Sequence, residues 1–113
     1  MFALLMGLKG ISPDALHQLN EARQVTVIDV NSPQSWTKAR VPGAWHLDPA
    51  AYTGSDLPAD KASSLVFYCS GPMCRKAPSA ARRAKAMGYG HVKVMSAGIS
   101  GWLDAKLPTE SGA

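Results

Sequence analysis

Long apolar runs are missing from this chain of 113 residues. None approaches the roughly 20 residues that a bilayer-spanning helix needs, so the sequence predicts no membrane partner. The opening stretch, Met1 to Leu8, is apolar but short, with no basic residue before it and no small-x-small cleavage site after it. It reads as a lead-in that packs on the domain, with a trimmed export signal as the alternative. Charge is sparse too, at 18% against 46% hydrophobic residues. That balance suits one real core and excludes a disordered tail. The length fits a single domain over residues 1–113, with its core at about 10–108. Cysteine is scarcest, with Cys69 and Cys74 in one short stretch. A secreted disulfide scaffold would spread more cysteines along the chain. Two close cysteines inside a core-bearing domain point instead to thiol chemistry in a reducing, cytoplasmic compartment. His17, His46 and His91 stand singly, and no second Cys or His pair lies at ligand spacing. The sequence therefore argues against a zinc site, and no metal or cofactor is expected.

What charge there is falls unevenly. Residues 1–74 carry five Lys/Arg and six Asp/Glu, and residues 75–113 carry seven and two. The net +4 thus begins immediately after the cysteine pair. A nucleic-acid surface would interleave aromatics with such charges. Here Arg75, Lys76, Arg82, Arg83 and Lys85 are gathered around one predicted helix. An anionic substrate or an acidic partner fits better than nucleic acid. Arg82 and Arg83 read as a solvated face, while Arg75 is the stronger candidate for substrate contact.

Ser12-Pro13-Asp14 is a helix start, with an N-cap hydroxyl, proline at the first helical position and an acid near the positive dipole end. The helix should run to about Arg23. VTVIDV (Val25 to Val30) is a β-branched run that reads as a buried strand with Asp29 at its carboxyl end. Ser32-Pro33 repeats the start signal for a short helix over 33–38 carrying Trp36. A turn at Val41-Pro42-Gly43 leads to a short strand, Ala44 to Leu47, and residues 48–63 read as loop with a helical turn. Leu65 to Tyr68 is a second strong strand. A helix should follow from Lys76 to Met87, with Ala77, Ala80, Ala81 and Ala84 as a small apolar stripe and Gly88 as its stop. Val92 to Met95 and Ile99 to Lys106 complete the pattern as a strand and a helix. Strands alternating with helices imply a parallel sheet covered on both faces, with its crevice beyond the carboxyl ends of the strands. Cys69 and Asp29 are both expected there.

Between strand and helix lies Cys69-Ser70-Gly71-Pro72-Met73-Cys74-Arg75. A thiol between a strand end and a helix N-terminus faces backbone N–H groups that lack helical partners. A curled loop can gather those amides into an anion-binding nest. Such a site favours thiolate over thiol and holds the Cys69 pKa below its free value of ~8.5. The bland alternative is a small buried residue. Asp29 is expected to satisfy buried amides at the strand end. His46 and His91 read as surface histidines, and the three tryptophans as packing.

Several segments, in order, resemble the rhodanese homology domain. These are VIDVN (Val27 to Asn31), RVPGAWHL (Arg40 to Leu47), VFYCSGPMC (Val66 to Cys74) and AMGYGHVKVMSAGISGW (Ala86 to Trp102). The resemblance spans roughly residues 10–108. It implies an α/β fold around a five-stranded parallel sheet flanked by helices on both faces. It also implies no metal, and sulfur transfer through a persulfide on Cys69. Ser70, Gly71, Met73, Cys74 and Arg75 would form the substrate-binding loop, with Asp29 and Arg40 in support. The chain departs from the family at Arg40, usually His, and at Asn31, often Arg. Its loop is slightly longer than in the commonest single-domain members and carries a second cysteine.

The expected activity is that of a thiosulfate sulfurtransferase. Its partners would be a small anionic sulfur donor and a thiol or protein-cysteine acceptor. Two alternatives stay open. One is a non-catalytic or sulfur-carrying module. The other starts from the spacing of Cys69 and Arg75, C-x5-R, which also matches cysteine phosphatases and arsenate reductases. Against it, Tyr68 stands where those enzymes usually place His, and Pro72 removes an N–H from the cradle. Cys74 is expected to be a small apolar filler beneath the loop, the alternative being a resolving thiol that forms a disulfide with Cys69.

Overall fold

Serine–proline pairs set two helices in place. In the computed structural model, which describes residues 8–113, the Ser12 hydroxyl accepts from the Ala15 N–H at 3.1 Å and opens α1 (Pro13–Glu21). Ser32 does the same for Ser35 at 3.2 Å and opens α2 (Pro33–Lys38). The expected lead-in over Met1 to Leu8 lies outside the described residues except for Leu8, which is buried.

The strands are β1 (Lys9–Gly10), β2 (Thr26–Asp29), β3 (Trp45–His46), β4 (Ser64–Tyr68) and β5 (His91–Val94). They form one sheet in the order β1-β5-β4-β2-β3, with every pairing parallel. The remaining helices are α3 (Lys76–Ala86) and α4 (Gly98–Asp104), and a single 3-10 turn (Gly54–Asp56) interrupts the loop after β3. Among the described residues, no helix is long and apolar enough to cross a membrane.

Side chains alternate across a strand, and two cores result. Leu65, Phe67 and Cys69 pack with Ala77, Ala80, Ala81 and Ala84 of α3. Val66 and Tyr68 pack on the other face with Leu16 of α1 and Ile99 and Trp102 of α4. The four alanines are at most 1% exposed, so α3 lies close against the sheet. Helix α1 stops two residues before the expected Arg23. Arg23 itself takes a positive φ of 56°, and the Gln24 N–H turns back to the Leu19 carbonyl. The turn residue was not the glycine that would have marked it.

Candidate active-site loop

Cys69 directly follows β4, and its side chain faces α3. The first amides of α4 hold this part of the chain. The Ile99 N–H donates to the Cys69 carbonyl at 2.9 Å, and the Ser100 N–H to the Ser70 carbonyl at 3.0 Å. In a planar trans peptide the N–H points opposite to the C=O. The N–H groups of Ser70 and Gly71 are therefore turned away from α4. No acceptor among the described residues takes them, nor that of Met73. The Cys74 N–H closes a turn onto the Gly71 carbonyl at 3.1 Å. Gly98 makes the close approach of α4 feasible. Its φ is +64°, and a Cβ there would stand 2.5 Å from Gly71 N and from the Ser70 carbonyl carbon. Ser70, Pro72 and Arg75 are exposed, Met73 is 80% exposed at the tip, and Cys69 at the root is buried.

The turn doubles the chain back far enough to join Cys69 to Cys74 in a disulfide, with the Cα atoms 6.5 Å apart. This corrects the expectation of Cys74 as mere filler. Cys74 does pack partly against the α3-side core, but its sulfur is bonded to Cys69. Sequence spacing left the outcome open because bridging depends on how the loop curls, and 6.5 Å falls within the ~7 Å that a disulfide can span. A cavity of about 10 Å³ beneath the loop touches both cysteines, Ala77 and Met95. It has room for about one water, so a larger donor must approach from the exposed side of the loop.

Asp29 sits at the carboxyl end of β2 beside Cys69's strand, but on the opposite face. Its carboxylate accepts from the Tyr68 hydroxyl at 2.6 Å and from the Asn31 N–H at 2.7 Å. Tyr68 Oη in turn accepts from the Val41 N–H at 3.0 Å. Asp29 thus fixes the residue before Cys69 rather than reaching the sulfur. Burial is the main influence on its titration and pushes its carboxyl above the ordinary 3.8, outweighing the hydrogen bonds from Tyr68 and Asn31.

A raised carboxyl pKa contributes stability below the unfolded value, and that contribution is lost as pH rises through the folded value. Asp29→Asn should cost about 1–3 kcal/mol, because its amide N–H₂ cannot accept the Tyr68 proton. The cost should be largest below pH ~4 and shrink toward neutrality. Urea unfolding of both proteins across that range checks this. A cost that grows with pH would reverse the assignment.

The contacts of Arg40 are made outside the loop. Its guanidinium covers the Trp36 ring at 4.1 Å and donates to the carbonyls of Trp36 and Gly112, tying the C-terminal segment to α2. Arg83, expected on a solvated face, is instead an anchor. It donates to the Pro49 and Tyr52 carbonyls, both at 2.8 Å, and lies over the Tyr52 ring. His46 is half-buried rather than a surface residue. Its ring bonds the Asn31 carbonyl at 2.8 Å and packs on Trp36. It lines a groove of about 450 Å³ with Asn31, Ser32, Asp48 and Lys76, at the start of α3. Apart from the Arg40–Trp36 pair, four residues apart, these contacts join distant segments that no local pattern announces. Gly98 did carry a signal, since it falls in the AGISGW segment that prompted the resemblance.

The family model for the rhodanese-like domain matches residues 12–105. The HTH-type transcriptional regulator Rv0324 of Mycobacterium tuberculosis is 34% identical over 95 residues, covering 82% of this chain and 41% of the regulator. The chain therefore spans about two-fifths of that relative's length. Among solved structures, the BH2092 protein of Bacillus halodurans superposes with a TM-score of 0.83 at 19% identity, covering 97% of this chain and 82% of that one. A thiosulfate sulfurtransferase from Pseudomonas aeruginosa gives 0.76 at 22% identity, covering 93% of this chain and 20% of that one. A parallel five-stranded sheet with a cysteine loop between β4 and α3, and a family match over most of its length, place this chain in the rhodanese-like domain family.

Proposed function

We propose that the reduced chain is a sulfurtransferase that carries sulfane sulfur on Cys69. The observation that supports this most is the orientation of the loop. With the Cys69 and Ser70 carbonyls pinned to α4, the N–H groups of Ser70 and Gly71 are left for an anion. A Cys69 thiolate attacks the outer sulfur of a donor such as thiosulfate, and sulfite leaves. The persulfide anion rests against the loop amides until a thiol or protein cysteine takes the sulfur. Arg75 and the basic start of α3 draw the anionic donor inward. The thiosulfate sulfurtransferase among the structural neighbours accords with this donor class. Phosphoryl or arsenate chemistry fits less well, since Pro72 offers the cradle no N–H.

A second reading, a sulfur-sensing module, is favoured by the likeness to a transcriptional regulator. It uses the same persulfide. Incubating reduced protein with thiosulfate should release sulfite as one sulfur atom passes to Cys69, read by a sulfite assay, and Cys69→Ser should release none. Release of phosphate from aryl phosphates, lost in Arg75→Ala, with no sulfite from thiosulfate, would overturn the proposal.

A further inference from the structure

We propose that Cys74 is a resolving nucleophile that discharges the Cys69 persulfide as hydrosulfide, giving the domain a persulfide-reductase activity beyond sulfur transfer. This rests on the sulfur-transfer reading above. The juxtaposition that carries it is the Cys69–Cys74 bond itself. The turn from Gly71 to Cys74 brings the two sulfurs to bonding distance within one intact fold. Cys69 has little freedom to seek a partner, because α4 holds its carbonyl and the α3-side core surrounds its side chain. Cys74, at the foot of α3 and partly buried against the same core, is the thiol already positioned beside it.

The chemistry closes without an outside oxidant. The Cys74 thiolate attacks Sγ of Cys69, the inner sulfur of the persulfide. The Cys69–Cys74 bond forms as the bond from Cys69 Sγ to the outer sulfur breaks. The outer sulfur leaves with the electron pair and takes the proton that Cys74 gave up. The sulfane sulfur is reduced to hydrosulfide, and the two cysteines are oxidised to the disulfide seen here. Attack on the outer sulfur would only move the persulfide to Cys74 and would leave no bond between the cysteines. A dithiol reductant then opens the disulfide by exchange and restores both thiols, so turnover consumes one dithiol for each sulfur released.

The test is a single turnover on reduced, desalted protein given one equivalent of thiosulfate, with wild type beside Cys74→Ser and Cys74→Ala. Sulfite, hydrosulfide and intact mass are followed together. Wild type should release both sulfite and hydrosulfide and end as the internal disulfide, without retained sulfur. Dithiothreitol should then permit a second turnover. Both variants should still release sulfite, keep the extra sulfur on Cys69, and release hydrosulfide, per sulfite formed, at least about tenfold more slowly than wild type. Hydrosulfide release at the wild-type rate from both variants would overturn the resolving role. So would a wild-type persulfide that persists with Cys74 still a free thiol. Either result would leave sulfur transfer standing, because sulfite still appears. No sulfite from any of the three proteins would overturn both readings.

Discussion

Cys69→Ser should lower sulfite release from thiosulfate by at least about a thousandfold, whereas Cys74→Ser should still release sulfite. The two cysteines share one short loop, yet their settings differ. Cys69 directly follows β4 with its backbone held by α4, and the N–H groups of Ser70 and Gly71 are turned away from α4. Those donors stabilise a thiolate and, after transfer, a persulfide anion. A serine hydroxyl in the same place stays protonated and cannot accept sulfur. The comparison belongs under reducing conditions, where wild type also lacks the cross-link and the loss cannot be assigned to the missing disulfide. There the fold should survive, because the exchange removes little volume and the loop amides can bond the new hydroxyl. Unchanged unfolding midpoints with abolished sulfite release would support Cys69 as the nucleophile. Retained release in Cys69→Ser would move that role to Cys74.

What could be read in advance was local. The Ser-Pro starts of α1 and α2 are a matter of one hydroxyl, one fixed φ and three residues, and both helices begin where those signals stand. The β-branched run at 25–30 and the apolar run Leu65 to Tyr68 became β2 and β4 in the interior of the sheet, where both faces are covered. Strand β1 had no such signal. Lys9 and Gly10 form a strand only because β5 lends them its free edge, with the Ile11 N–H bonded to the Val94 carbonyl. The five-strand count came from the family resemblance, not from periodicity.

The site divides along the same line. A cysteine between strand and helix was legible from order alone. Arg83 holding the 49–52 backbone, Asp29 reaching Tyr68 on the far face and α4 gripping the loop carbonyls are long-range contacts. A single sequence gives no spacing rule for any of them. Cys74 is the intermediate case. The sequence showed that a bond to Cys69 was open to it, but the curl of the Gly71–Cys74 turn decided the matter.

Gly98→Ala should be the most damaging substitution outside the cysteines, although Gly98 carries no chemistry. Two costs add at this position. A residue with a Cβ held at a φ of +64° costs about 1–2 kcal/mol. The new methyl would also stand 2.5 Å from Gly71 N and the Ser70 carbonyl carbon and 2.6 Å from the Ser70 oxygen. All of these are backbone atoms that no rotamer change can move aside. Relief requires the loop and α4 to separate, which stretches the bonds from Ile99 to Cys69 and from Ser100 to Ser70. The total should reach roughly 3 kcal/mol, a fall of about 10 °C or more in the unfolding midpoint. Activity should suffer beyond the stability loss. A displacement of about 1 Å in groups that hold a reacting atom costs on the order of a hundredfold, so sulfite release should fall by about that factor even where the variant is fully folded. Gly90→Ala is the control, since a Cβ there meets nothing within 4 Å. It should change stability by no more than about 0.5 kcal/mol and leave the rate unaltered. If Gly98→Ala matches Gly90→Ala in both measurements, α4 is not what shapes the loop. The amides of Ser70 and Gly71 would then need another cause for their orientation.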